Sequence, residues 1–191
     1  MHSFPENYYS KLRDAMNSIV VTDKEGKAVG FYKGIEEVMS IVTQLEDEHK
    51  IMLIGNGASA AISSHIALDF WKNAGIKALA FNDSSLLTSI SNDYGYEHVF
   101  EKPIDMFANQ EDVLMAVSSS GQSENILRGA FAARKKGLRI ITFSGFDEDN
   151  PLRKLGDVNF YVPAAQYGYV EVVHLSICHC LVDMVIEVKD G

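Results

Sequence analysis

Two histidines and two carboxylates in this chain are spaced so that they can share one ion. His65 and Asp69 are four residues apart, which puts both side chains on one face of a helix. Far along the chain, Glu171 and His179 are eight apart inside the apolar run YVEVVHLSICHCLVDMVIE. Eight residues make about two helical turns, so one side of that helix presents both. Polar groups are costly in such a run unless something binds them. Imidazole together with carboxylate suits zinc or another divalent metal, provided the two helices meet. His174 is rotated well away from His179 on a helical wheel and stays outside the set. The competing reading of any single histidine is a core residue hydrogen-bonded to a neighbour.

A second group of residues has the chemistry of a phosphate site. SSSGQSEN, Ser118 to Asn125, packs four hydroxyls, a glycine and several backbone N–H groups ahead of a helix. Such a loop can hold a phosphate monoester without Lys or Arg, because the N–H groups at a helix N-terminus attract anions. The alternative is that Ser120 or Ser123 caps the helix. GNGAS, Gly55 to Ser59, is a glycine turn of related kind, although close packing alone can require one. Neither loop is a P-loop, since no Lys follows the glycine. NDYGYEHVF places Asn92 and Asp93 where they can form a further pocket wall, or where Asp93 serves a turn.

The elements that must carry these residues follow from hydrophobic periodicity. Tyr8, Leu12, Met16 and Ile19 recur at helical spacing, as do Ile35, Val38, Met39, Ile41, Val42 and Leu45. The spacing predicts two amphipathic helices before any strand, joined by the charged connector DKEGKA. Beyond His49 come short apolar runs, each followed by a small-residue turn and a helical segment: IMLIG (51–55), KALAF (77–81), VLMAVS (113–118), RIITFSG (139–145) and VNFYVP (158–163). Continuous apolar runs alternating with helices predict a doubly wound α/β fold with a five-stranded parallel sheet covered on both faces. Residues 1–191 read as one domain, with N-terminal helices over 1–48 and an α/β core over 49–191. In such sheets ligands sit beyond the carboxyl ends of the strands, where the glycine turn and the serine loop fall.

Composition narrows the partners. Seventeen Lys and Arg against 26 Asp and Glu leave a net charge of -9, with no basic cluster to track a nucleic acid backbone. A nucleic acid partner is therefore not expected. The first residues lack the apolar core of a signal peptide, and no stretch of about 18 apolar residues is expected to span a bilayer. No membrane association follows, and the chain reads as soluble and cytoplasmic. Cys178 and Cys180 are two apart in a helical run and point apart, so no disulfide is expected between them. The aromatics Phe4, Tyr8 and Tyr9 read as helix packing or a subunit contact.

GNGAS, SSHIALD, SNDYGYEHVF, SSSGQSEN and EVVHLSICH occur in the order and spacing of sugar isomerase (SIS) domains, and the chain resembles the sedoheptulose 7-phosphate isomerases among them. That resemblance implies a flavodoxin-like fold with N-terminal helices for oligomerisation, a homotetramer with active sites between subunits, and one zinc ion per subunit. The implied reaction takes a seven-carbon ketose phosphate to the aldose phosphate through an enediol. Carried over by position, Ser118, Ser119, Ser120 and Ser123 hold the phosphate, while Asn56, Gly57, Ala58, Ser59, Asn92 and Asp93 line the sugar. His65, Asp69, Glu171 and His179 are the metal positions, and Asp69, His179 and Glu171 are the candidates for proton transfer, Glu171 also facing the substrate. Three positions depart from the family pattern: Asp69 stands for Glu, Glu171 for Gln, and Gly168 for an Asp near the sugar. The first two suggest a swapped role, with Glu171 as base and Asp69 kept as ligand. Related SIS proteins that bind the replication initiator DnaA as tetrameric adaptors supply one alternative, a role that needs the fold without catalysis, and an isomerase for a different phosphosugar is the other.

Overall fold

The computed structural model describes residues 3–190. The helices are α1 (Phe4–Asn17), α2 (Phe31–Thr43), α3 (Ala58–Lys72), α4 (Ser84–Tyr94), α5 (Glu101–Phe107), α6 (Glu124–Lys136) and α7 (Tyr167–Asp190). The strands are β1 (Val20–Asp23), β2 (Ala28–Val29), β3 (Ile51–Gly55), β4 (Ala78–Ala80), β5 (Val113–Ser118), β6 (Arg139–Gly145) and β7 (Val158–Val162). They form one sheet in the order β2-β1-β7-β6-β5-β3-β4.

The five apolar runs become the parallel strands β3 to β7, as their composition requires. Side chains alternate across the sheet, so β3 sends Ile51 and Leu53 into one core and Met52 and Ile54 into the other. The first core contains Ile62, Ile66 and Phe70 of α3 with Val173, Ile177 and Leu181 of α7. The second contains Ile104 of α5 with Ile126, Ala130 and Ala133 of α6. Two faces buried by helices explain why β3 and β5 tolerate no polar residue before their last positions.

The expectation of two helices before any strand is corrected here. The connector DKEGKA is a turn, but it closes a hairpin, β1 to β2, whose first strand adds antiparallel to β7. Asp23 Oδ1 accepts the N–H groups of Glu25 and Lys27, and Gly26 takes φ +77°. Strands of four and two residues are too short to leave a period in the sequence, and pairing with β7 is what stabilises them.

The expectation that no segment could span a bilayer is also corrected: α7 has the length and apolarity for it over Tyr167–Lys189. Its apolarity has a different use in this fold, because Val170, Val173, Ile177, Cys178, Leu181, Val182 and Val185 lie buried against the sheet and neighbouring helices. Both cysteines are free, Cys178 buried and Cys180 exposed. Tyr8 of α1 packs its ring 4.9 Å from that of Tyr169, whereas Phe4 and Tyr9 are exposed.

Candidate active site

Strands β3 and β5 are adjacent and parallel, so the loops leaving their carboxyl ends lie side by side. After β3, a Cβ on Gly55 would strike the Ser59 carbonyl, and Gly57 adopts φ 56°, ψ -124° immediately before α3. Only glycine allows so tight a turn to expose its backbone. After β5, Ser118 Oγ accepts the Gly121 N–H at 3.2 Å and Ser120 Oγ accepts the Gln122 N–H at 3.3 Å. Gly121 is left-handed at φ +62°, and a Cβ there would collide with the buried side chain of Asn150. The Leu152 N–H donates to the Gly121 carbonyl at 3.1 Å, so this loop is also held from the β6 side.

Ser123 stands at the N-cap of α6, yet its side chain makes no cap hydrogen bond. The hydroxyl of Ser119 is buried and has no partner among the described residues. Capping therefore does not account for these serines: two hydroxyls shape the loop, and two are left for a ligand. A cleft of about 240 Å³ opens in front of them, lined by the 56–59 turn, Ser118 to Ser120, Ser123, Tyr167 and Glu171. Burial holds the Glu171 carboxyl above the usual carboxylate range, which favours a group able both to take and to return a proton. Tyr167 stacks edge-on against Phe146 with ring centroids 4.8 Å apart. Nothing in the spacing of Tyr167 marked it in advance.

The metal-type positions divide. His65 Nε2 lies 3.3 Å from Asp69 Oδ2, and His179 Nδ1 lies 3.7 Å from the same oxygen. All three donor atoms fall within 4.8 Å of one another, and the two imidazole rings meet at 67°. Two ligands about 2.0–2.1 Å from a tetrahedral zinc sit roughly 3.4 Å apart, so this trio fits the ion. Asn73 donates to the other oxygen of Asp69 at 3.1 Å and so orients the carboxylate. Glu171 is not in this trio. Two turns up α7, about 12 Å by helical rise, it faces the serine cleft instead.

His174, on a different face, is fully buried in the core and its Nε2 donates to the Ser144 carbonyl at 3.0 Å. Burial pushes its pKa down to about 4, despite the opposing effect of that hydrogen bond. It is the core histidine of the competing reading. Asn92 and Asp93 sit exposed near the end of α4, bonded to each other at 2.9 Å, and do not line the serine cleft. Within one chain they are not brought to the phosphate-type loop.

The SIS domain family model matches residues 7–145. Phosphoheptose isomerase of Helicobacter pylori is 32% identical over 78% of this chain and 81% of its own length. That of Nitratiruptor is 37% identical over 76% of this chain and 81% of its own. The solved structure of phosphoheptose isomerase GmhA from Neisseria gonorrhoeae superposes with a TM-score of 0.80 at 27% identity, covering 94% of this chain and 95% of that one. The glycine turn and the serine loop both lie inside the matched span, on a fold shared over nearly the whole length, and the chain belongs to the SIS domain family, among the phosphoheptose isomerases.

Proposed function

We propose that the chain interconverts sedoheptulose 7-phosphate and D-glycero-D-manno-heptose 7-phosphate through a cis-enediol. One observation carries the reading. The single helix α7 enters the serine cleft with Glu171 and, about 12 Å on, meets Asp69 and His65 with His179. A seven-carbon sugar anchored by its terminal phosphate at the serines extends along α7, so that its reacting carbons come between the Glu171 and His179 side chains.

The reaction moves one hydrogen from C1 to C2. A base takes a proton from C1 of the ketose while O2 gains one, which gives the enediol. O1 then loses its proton as C2 is protonated, and the aldehyde forms at C1. Glu171 and His179 are the residues suited to these transfers, Glu171 because its raised pKa brings it toward neutrality. Asp69 orients both imidazoles through one oxygen. Zinc, when held by His65, Asp69 and His179, supplies polarisation of the sugar carbonyl. The serine loop contributes remote binding energy that orients the reacting carbons, so sugars without phosphate should react poorly.

A homotetramer with active sites between subunits accompanies this reading. His65 is half exposed, with Leu68 and Trp71 of α3 and Val172 of α7 also exposed. A second copy is the natural cover for this face, and the place from which residues such as Asn92 and Asp93 reach a neighbour's cleft. The cytoplasm suits a protein with two free thiols. A DnaA-binding adaptor has no use for an unpartnered serine hydroxyl or a zinc-spaced trio, and these favour the enzyme.

The test is NMR of sedoheptulose 7-phosphate with protein and zinc in D2O. Aldose appearing with deuterium at C2 is the expected result. Deuterium without aldose would point to another sugar, and neither signal would overturn the reading.

A further inference from the structure

We infer that Asn125 is a positioning residue that locks the sugar-side turn to the phosphate-side loop through Asn56, an inference that rests on the function proposed above. The two amides exchange hydrogen bonds: Asn56 Nδ2 donates to Asn125 Oδ1 at 2.9 Å, and Asn125 Nδ2 donates to Asn56 Oδ1 at 2.8 Å. Asn125 is only 3% exposed and does not line the cleft, whereas Asn56 does. The Asn125 oxygen also accepts the Ile126 N–H at 3.0 Å, which fixes its rotamer to the first turn of α6. Asn56 Oδ1 receives a second donor, the hydroxyl of Tyr96, at 3.0 Å. With both amide hydrogen-bonding ends engaged, Asn56 cannot rotate to trade its oxygen for its nitrogen without breaking these bonds.

The consequence is geometric. The 56–59 turn and the serine loop leave different strands and are 69 residues apart at this pair, so nothing local in the chain sets their separation. The strands themselves place the two loops side by side, but loops flex where strands do not. A double hydrogen bond between amides, buried on one side, fixes the distance between the group that receives the sugar and the group that receives the phosphate. Misplacement of about 1 Å costs roughly a hundredfold in rate. Asn125 therefore acts on turnover through Asn56, without touching substrate.

A double-mutant cycle tests this, using Asn56→Ala, Asn125→Ala and the pair, read in kcat/KM and in calorimetric binding of sedoheptulose 7-phosphate. Inorganic phosphate binding and thermal melting are measured alongside. Each single change should lower kcat/KM by at least about tenfold, and the pair should be no worse than the more severe single change, because the second removes a bond already lost. Inorganic phosphate affinity should stay within about twofold, since the serine hydroxyls remain. Asn125→Leu, which keeps volume and removes both bonds, repeats the cycle if the alanine variant does not fold. Losses that multiply, or a loss of phosphate affinity as large as that of turnover, would overturn the positioning role. A native chain that neither binds nor converts the ketose phosphate overturns the functional reading as well, whereas a native chain that does so with multiplying losses overturns this inference alone.

Discussion

His179 of α7 reaches across to Asp69 of α3, its Nδ1 3.7 Å from the carboxylate oxygen that His65 also approaches. One oxygen shared by two imidazoles is an arrangement that a divalent cation stabilises and that protonation of either ring only partly replaces. Replacing Asp69 with Asn should lower kcat/KM about 10²- to 10⁴-fold, the range for loss of a group that assists proton transfer. Replacing His65 with Ala should weaken zinc binding by at least about tenfold. Competition with a chelator, read by metal analysis of the recovered protein, checks the second; unchanged zinc retention would remove the trio from consideration as a metal site.

Glu171 supplies a prediction with a sign. Burial raises its pKa, so the ionised form needed to accept a proton is lost as pH falls through that raised value. The acid limb of kcat should therefore lie above the ordinary carboxylate range. Glu171→Gln, which keeps the shape and cannot ionise, should reduce kcat by about 10²- to 10⁴-fold and remove that limb. A variant with native turnover and an unmoved pH profile would return the base role to Asp69 or His179.

Ser119 separates stability from binding. Its buried hydroxyl has no partner among the described residues, so Ser119→Ala leaves no donor or acceptor there stranded and should change folding stability by under about 0.5 kcal/mol in either direction. The same change removes a donor from the phosphate-type loop and should raise KM about tenfold with kcat little altered. Denaturation and steady-state kinetics on one preparation decide it. A destabilised variant with native KM would mean that Ser119 is a packing residue.

His174 makes stability depend on pH. Its folded pKa of about 4 lies below the ordinary histidine value of 6.5, so the unfolded chain binds the extra proton first as pH falls. The contribution of this histidine is whole above about 6.5, is lost progressively down to about 4, and is level below that. The full loss is about 3 kcal/mol. Urea denaturation of the native chain and of His174→Gln between pH 7 and 4 should show a steeper decline for the native chain. Parallel declines would assign the acid sensitivity to other groups.

Much of the fold was legible in the residues because burial on two faces leaves an unmistakable imprint. Runs such as IMLIG and VLMAVS have no polar residue to spare, and each is followed by the turn chemistry of a strand-to-helix passage. The same holds for His65 and Asp69, whose pairing needs only one helix. The serine loop could be read from its hydroxyls and its place before a helix, and SIS membership follows from those motifs together with their order.

What only the tertiary structure decided are relations between distant segments. The hairpin of β1 and β2 exists because β7 offers an edge, a condition that its six residues do not express. His179 and Glu171 share a helix and a chemistry, and periodicity places them on one side of it. The crossing of α7 over α3 admits only His179 to Asp69, while the mouth of β5 draws Glu171 to the serines. Asn56 and Asn125 look like loop polars in the sequence and prove to be each other's partners. Local sequence determines what an element is, because its hydrogen bonds and its period are its own. Which side chains share a site depends on how buried surfaces pack, and that is settled only when all of them pack at once.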